Sequence, residues 1–175
     1  MNGLLPILNR RYNSAMIHPS TQKVIDATRA LDIEIEVVTH AEPTRTAQEA
    51  ADAVGCAVDQ IVKSLCFTVD SKPVMVLVAG HNRLDEKKLA ATFEVGRGKI
   101  KRPKADEVKV ATGYSIGGVN PFGLSTEMPI LVDEDLMRFN SVWTAAGTPN
   151  TVFEISSRAL VLAIEGRVVN IKKED

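Results

Sequence analysis

The spacing of apolar positions along this chain switches repeatedly between a helical and an extended period. Ser20 or Thr21 can cap a helix reaching about Leu31, with Val24, Ile25, Thr28 and Leu31 on one side. Ile33-Glu34-Ile35-Glu36-Val37 then alternates strictly, which predicts a half-buried strand. Thr46-Ala47-Gln48-Glu49 is a capping box, opening a helix through Ala50, Ala51 and Ala53 to a stop at Gly55. Ile61 to Val69 and Val74 to Ala79 predict strands, and the turn chemistry of Asp70-Ser71-Lys72-Pro73 between them makes an antiparallel hairpin.

Asp85 caps a helix from Glu86 to about Thr92, and Pro103 opens another that ends before Gly113. Residues 113–123 read as loop, because four glycines and a proline fall within them. Met128 to Val132 is a predicted strand, Asp133 to Phe139 a short helix, and Ser141 to Ala146 a strand. A turn at Gly147-Thr148-Pro149-Asn150 leads to a strand over Val152 to Ile155. Ser156 or Ser157 caps a helix to about Ile164, and Val168 to Ile171 adds a last strand. These elements predict a mixed α/β domain over residues 20–175, its mostly antiparallel sheet curled toward a barrel with helices around it. Residues 1–19 are expected to form an arm or short helix.

At 175 residues the chain can bury about 70% of its unfolded surface without a staple. Aromatics are only 5%, so the core must rest on Val, Ile, Leu and Ala. Cys56 and Cys66 lie in apolar stretches without metal-ligand company and read as small buried hydrophobes. No stretch approaches the ~20 apolar residues of a membrane span. The N-terminal patch of Leu4, Leu5, Ile7 and Leu8 is broken by Pro6 and Asn9, so a cytoplasmic location without a membrane partner is expected. The net charge of -1 gives no global field toward nucleic acid. Arg97, Lys99, Lys101, Arg102 and Lys104 nevertheless form a run without an acidic residue, either a solvated face or a phosphate-contacting patch.

Standard catalytic motifs are missing: there is no phosphate-loop lysine, GxSxG elbow or HExxH, and the three histidines are scattered. Neither a metal nor another cofactor is expected. Three features remain. Lys63 shares a strand face with Ile61, Leu65 and Phe67, where an ammonium must either snorkel to solvent or serve a pocket. The loop Gly117-Gly118-Val119-Asn120-Pro121 lets a ligand approach main-chain N–H groups, as an oxyanion hole requires. Ala145-Ala146-Gly147-Thr148-Pro149-Asn150 is a second tight turn after a strand.

Lys63 in Val-Lys-Ser-Leu after a Thr-Ala-Gln-Glu-Ala-Ala helix, the Gly-x-x-x-Pro loop and the Ala-Gly-Thr-Pro turn, in that order, resemble the YbaK/ProX family of aminoacyl-tRNA deacylases. That family is related to the editing domain of bacterial prolyl-tRNA synthetases, and the resemblance covers roughly Ile35 to Ile164. It implies a barrel-like mixed fold and hydrolysis of the ester between a wrong, small amino acid and tRNA, with tRNA-Pro a candidate acceptor. Lys63 would position the substrate, the Gly117 N–H would meet the aminoacyl carbonyl, Pro121 would shape the loop, and Gly147 would mark the third motif. Ile61, Ser64, Leu65, Gly118 and Asn150 complete the expected substrate-binding set. Some family members carry Asn and His where this chain has Ser64 and Asn150. The implied partners are the acceptor end of a mischarged tRNA, contacted by the basic run, and a cognate synthetase; monomer and homodimer both stay open. The rival readings are a catalytically silent tRNA- or aminoacyl-binding module and a Schiff-base enzyme acting through Lys63.

Overall fold

The computed structural model describes residues 17–174, so most of the expected arm lies outside the described residues. Helix α1 (Pro19–Arg29) starts at His18, whose ring nitrogen accepts from the Ser20 N–H, one step before the expected caps. After α1 come β1 (Val37–Thr39), α2 (Ala47–Val54), β2 (Val62–Val69), β3 (Lys72–Ala79), α3 (Glu86–Thr92), β4 (Ile100–Lys101) and α4 (Ala105–Thr112). The chain closes with β5 (Ile130–Asp133), β6 (Ser141–Ala145), β7 (Thr151–Ser156), α5 (Ser157–Ala163) and β8 (Arg167–Val169).

The strands form two sheets, β1-β7-β6 and β4-β2-β3-β5-β8. The first is antiparallel throughout; in the second, β3 pairs β5 and β5 pairs β8 in parallel. A parallel bridge between Ile61 and Trp143 brings the sheets edge to edge, which gives the expected curl without closing a barrel.

Residues 74–79 of β3 are all buried, because this central strand is covered on both faces. Met75, Leu77 and Ala79 face the larger core with Val24 of α1, Phe153 of β7 and Leu160 of α5. Val74, Val76 and Val78 face a second core closed by Leu89 and Ala90 of α3. The β2–β3 hairpin turns on Asp70 and Ser71 alone, both in the left-handed region at φ 49° and 68°, as a two-residue turn demands. Pro73 therefore lies inside β3 opposite Thr68 rather than in the turn.

Two expectations need correction. Ile33 to Glu36 form no ladder: β1 begins at Val37 and pairs β7 only over Val37–Thr39. Ile33 and Ile35 still pack on the core, so the alternation recorded burial and not pairing. The predicted helix after Asp133 is a five-residue 3-10 turn, Glu134–Arg138, with Asp133 accepting from the Asp135 N–H.

Candidate active site

Register places Lys63 opposite Val78, on the α3 face of β2 with Leu65 and Phe67. The side chain is half-buried, and its ammonium donates to the main-chain carbonyl of Asn82. Asn82 is itself held firmly. Its side-chain amide donates to Asp133 at 2.8 Å and to Asp135 at 2.9 Å, and Lys172 reaches the same Asp135 oxygen at 2.7 Å. Asp133 is fully buried at the end of β5 and also accepts from the Ala79 N–H at 3.1 Å. Lys63 thus leans on a carbonyl whose position two carboxylates fix. Burial pushes the Lys63 ammonium below the ordinary lysine range; Asp133 opposes this, Arg83 adds to it, and Asp59 opposes it.

Lys63 opens onto a cleft of about 660 Å³. The same cleft is lined by Gly117, Ile116 and Val119 from the glycine loop, by Val108 of α4, and by Ser64, Leu65 and Cys66 of β2. Its shape follows from strand pairing. β4 covers β2 only at Thr68 and Val69, and the bridge to β6 lies at Ile61, so the cleft runs along the edge left between them. Asp70 turns its N–H toward Lys99 on the β4 side, and alternation puts the main-chain groups of Ser64 and Cys66 on that same side. The Ser64 hydroxyl is buried and has no partner among the described residues. A buried hydroxyl left so costs about 1–3 kcal/mol.

The glycine loop and the second turn brace each other. Gly117 has φ 92°, and a side chain at Gly118 would run into the carbonyl of Gly147. Gly147 has φ 90°, and a side chain there would meet the carbonyl of Ser20 in α1. Asn120, fully buried, donates to the Ala145 carbonyl and accepts from the Phe122 N–H at 2.8 Å. Pro121 is buried between these anchors. The Gly118 N–H is used by Ser115 at 2.9 Å, whereas no backbone bond occupies the Gly117 N–H among the described residues. The loop is therefore braced, and it leaves the N–H groups of Ile116, Gly117 and Val119, which line the cleft, without a backbone partner among the described residues.

Of the expected residues, the structure gathers Lys63, Ser64, Leu65 and Gly117 around the cleft. Gly118, Pro121 and Gly147 stand behind it as supports. Asn150 serves the turn, accepting from the Thr148 hydroxyl at 2.9 Å and donating to the His40 carbonyl at 3.3 Å. Ile61 is elsewhere: it precedes β2 and is buried against Ala50, Ala51 and Trp143. Asn82, Asp133 and Asn120 were missed, since each acts on a segment remote in sequence. The one legible sign was Asp133 at a strand end, which reads as a cap and is one.

The basic run divides. Arg102 lines the cleft, 5.6 Å from the Phe67 ring, and pairs with Glu86 at 3.1 Å; Arg97 pairs with the same carboxylate. Lys99 pairs with Asp70 at 2.9 Å and borders a shallow depression with Lys101. Lys104 is exposed, and its main-chain N–H donates to Glu107 at 2.6 Å. Among the described residues no three His, Cys, Asp or Glu side chains converge as a metal ion would require.

Comparison with known proteins bears on the family and the fold. The aminoacyl-tRNA editing domain family matches residues 41–162. The chain belongs to that family. It is a deacylase of mischarged aminoacyl-tRNA. A solved structure provisionally assigned as a trans-editing enzyme for prolyl tRNA synthetase superposes with a TM-score of 0.85 at 36% identity, covering 90% of this chain and 99% of that one. A protein of Enterococcus faecalis provisionally named Cys-tRNA(Pro)/Cys-tRNA(Cys) deacylase EbsC is 26% identical over 132 residues, 74% of this chain and 79% of its own. The proline–tRNA ligase of Staphylococcus aureus (strain Newman) is 35% identical over 102 residues, 58% of this chain and 18% of the ligase. No described helix is long and apolar enough to cross a membrane.

Proposed function

We propose that this editing enzyme hydrolyses the ester of a small amino acid wrongly attached to tRNA, with the prolyl acceptor as the first substrate class. The observation that carries this reading is that Lys63 and Gly117, from β2 and a distant loop, line one cleft. The aminoacyl carbonyl lies against the Gly117 N–H, which no backbone bond occupies among the described residues. Such a donor stabilises the oxyanion of the tetrahedral intermediate by about 3 kcal/mol. Lys63, steadied by the Asn82 carbonyl, holds the substrate by hydrogen bonds and fixes the angle of attack. Water is the nucleophile, assisted by the ribose hydroxyl beside the ester, because an aminoacyl ester needs no stronger attacker.

Leu65, Cys66, Val108, Ile116 and Val119 give the aminoacyl group apolar walls. A synthetase separates side chains differing by one methylene by only about 1–3 kcal/mol, which is why a second sieve is useful. The working partners are the single-stranded acceptor end of tRNA and, in the cytoplasm, the synthetase that makes the error. A panel of alanyl-, seryl-, cysteinyl- and phenylalanyl-tRNA tests the sieve. The small aminoacyl groups are expected to be released at least tenfold faster than the aromatic one; equal rates would overturn the size selection.

A further inference from the structure

The charge lining the cleft is one-sided. Lys63, Arg83, Arg102 and Lys173 border it, and no Asp or Glu among the described residues does. Composition does not explain this, because the chain carries 21 Lys and Arg against 22 Asp and Glu. Lys63 and Arg102 have partners, as described above. Arg83 and Lys173 have no carboxylate partner among the described residues.

Their placement is built. The Lys173 N–H donates to the Arg83 carbonyl at 2.7 Å, and Leu84 bridges Lys172 in antiparallel fashion. The neighbours on either side are tied as well, Asn82 to Asp133 and Asp135, and Lys172 to Asp135. Two cations far apart in sequence are therefore stitched side by side on a fixed backbone. Arg102 faces the same space from the segment after β4, its guanidinium fixed by Glu86 and the Phe67 ring. Arg83 is also close enough to weaken the hold of Lys63 on its proton, so the like charges bear on one another. Cations gathered at one cleft, with Arg83 and Lys173 lacking a counter-charge among the described residues, are stabilised by an anion between them.

We infer that Arg83, Lys173 and Arg102 form a phosphate subsite at the mouth of the cleft, taking the phosphodiester on the 5′ side of the nucleotide that carries the aminoacyl ester. This rests on the deacylase reading, which puts that ester between Lys63 and Gly117. One ribose separates the ester from its own 5′-phosphate, and the cleft of about 660 Å³ lies within the range of about 300–1,000 Å³ typical of sites for ligands of nucleotide size. The planar guanidinium forks of two arginines suit the two non-bridging oxygens of a phosphodiester, and the lysine adds a point charge. Gripping the phosphate supplies remote binding energy that seats the ester for reaction.

The test uses the full chain and three non-hydrolysable inhibitors of alanyl-tRNA deacylation. They are the 3′-alanylamide of adenosine, its 5′-monophosphate, and the methyl diester of that phosphate. Wild type is expected to bind both phosphorylated compounds at least tenfold more tightly than the plain nucleoside. In Arg83→Ala/Lys173→Ala that ratio should fall below twofold. The ratio is read within each protein, so a general loss of fold or activity cancels. Equal inhibition constants, no inhibition by any of the three, or an advantage that survives the double substitution would overturn the subsite. An advantage for the monoester alone would show that the site takes a free nucleotide phosphate and would overturn the RNA assignment. Wild type failing to deacylate every mischarged tRNA offered would instead overturn the deacylase reading beneath it.

Discussion

Burial leaves the Lys63 proton loosely held, and the ammonium rests on a carbonyl oxygen where a salt-bridged lysine would have a carboxylate. If the ammonium is the form that binds substrate, enzymatic deacylation falls as pH rises through a pKa below the ordinary 10.5. The signs for its neighbours follow. Removing the like charge in Arg83→Ala should move the alkaline fall to higher pH, and neutralising Asp133 in Asp133→Asn should move it lower. The pH profile of kcat/KM, corrected for spontaneous ester hydrolysis, reads both shifts; a fall that stays in place in both variants would contradict this assignment. The lysine was legible in the sequence because an ammonium on an apolar strand face needs a reason. Asn82 was not, because its main-chain oxygen has no residue signature and its amide is tied to carboxylates remote in sequence.

The glycine loop and its brace act as one element. Gly118→Ala would press a methyl group onto the Gly147 carbonyl and push the loop out of place. A loss of at least tenfold in kcat is expected, with a smaller change in KM, since a displaced oxyanion donor counts most in the transition state. Asn120→Ala would strip two buried hydrogen bonds and cost about 2 kcal/mol, or a thermal midpoint lower by roughly 4–8 °C. A midpoint within 1 °C of wild type, about the change expected for no lost bond, would argue against this anchor. The glycines and Pro121 were readable as a turn, but the bond from Asn120 to β6 joins segments that only the fold brings together. The same division explains Ile33 to Glu36. Their alternation fixes which side chains meet the core, while a ladder also needs a partner strand, and β7 reaches only Val37 to Thr39. Ile61 fails in the opposite sense: the strand starts one residue later, and its side chain turns to α2.

At the scale of the molecule, a nearly neutral protein must find RNA through local charge. Lys101 and Lys104 are exposed, and no salt bridge occupies them among the described residues. If both touch the tRNA backbone, Lys101→Glu/Lys104→Glu should weaken binding and reduce the slope of log K against log salt by roughly 1.5. An unchanged slope would exclude this patch and leave the cleft mouth as the phosphate contact. The mixed fold and the order of its elements were largely readable, because periodicity and caps are local. The division into two sheets and the open edge of β2 were not, because they depend on which strands stop short.

The most direct measurement is single-turnover deacylation of alanyl-tRNA-Pro by wild type and by Lys63→Ala, with folding of the variant checked by its thermal midpoint. A folded Lys63→Ala protein at least a hundredfold slower, about 2.7 kcal/mol of lost transition-state stabilisation, is expected. A folded variant within twofold of wild type would contradict the role of the β2 ammonium opposite the glycine loop.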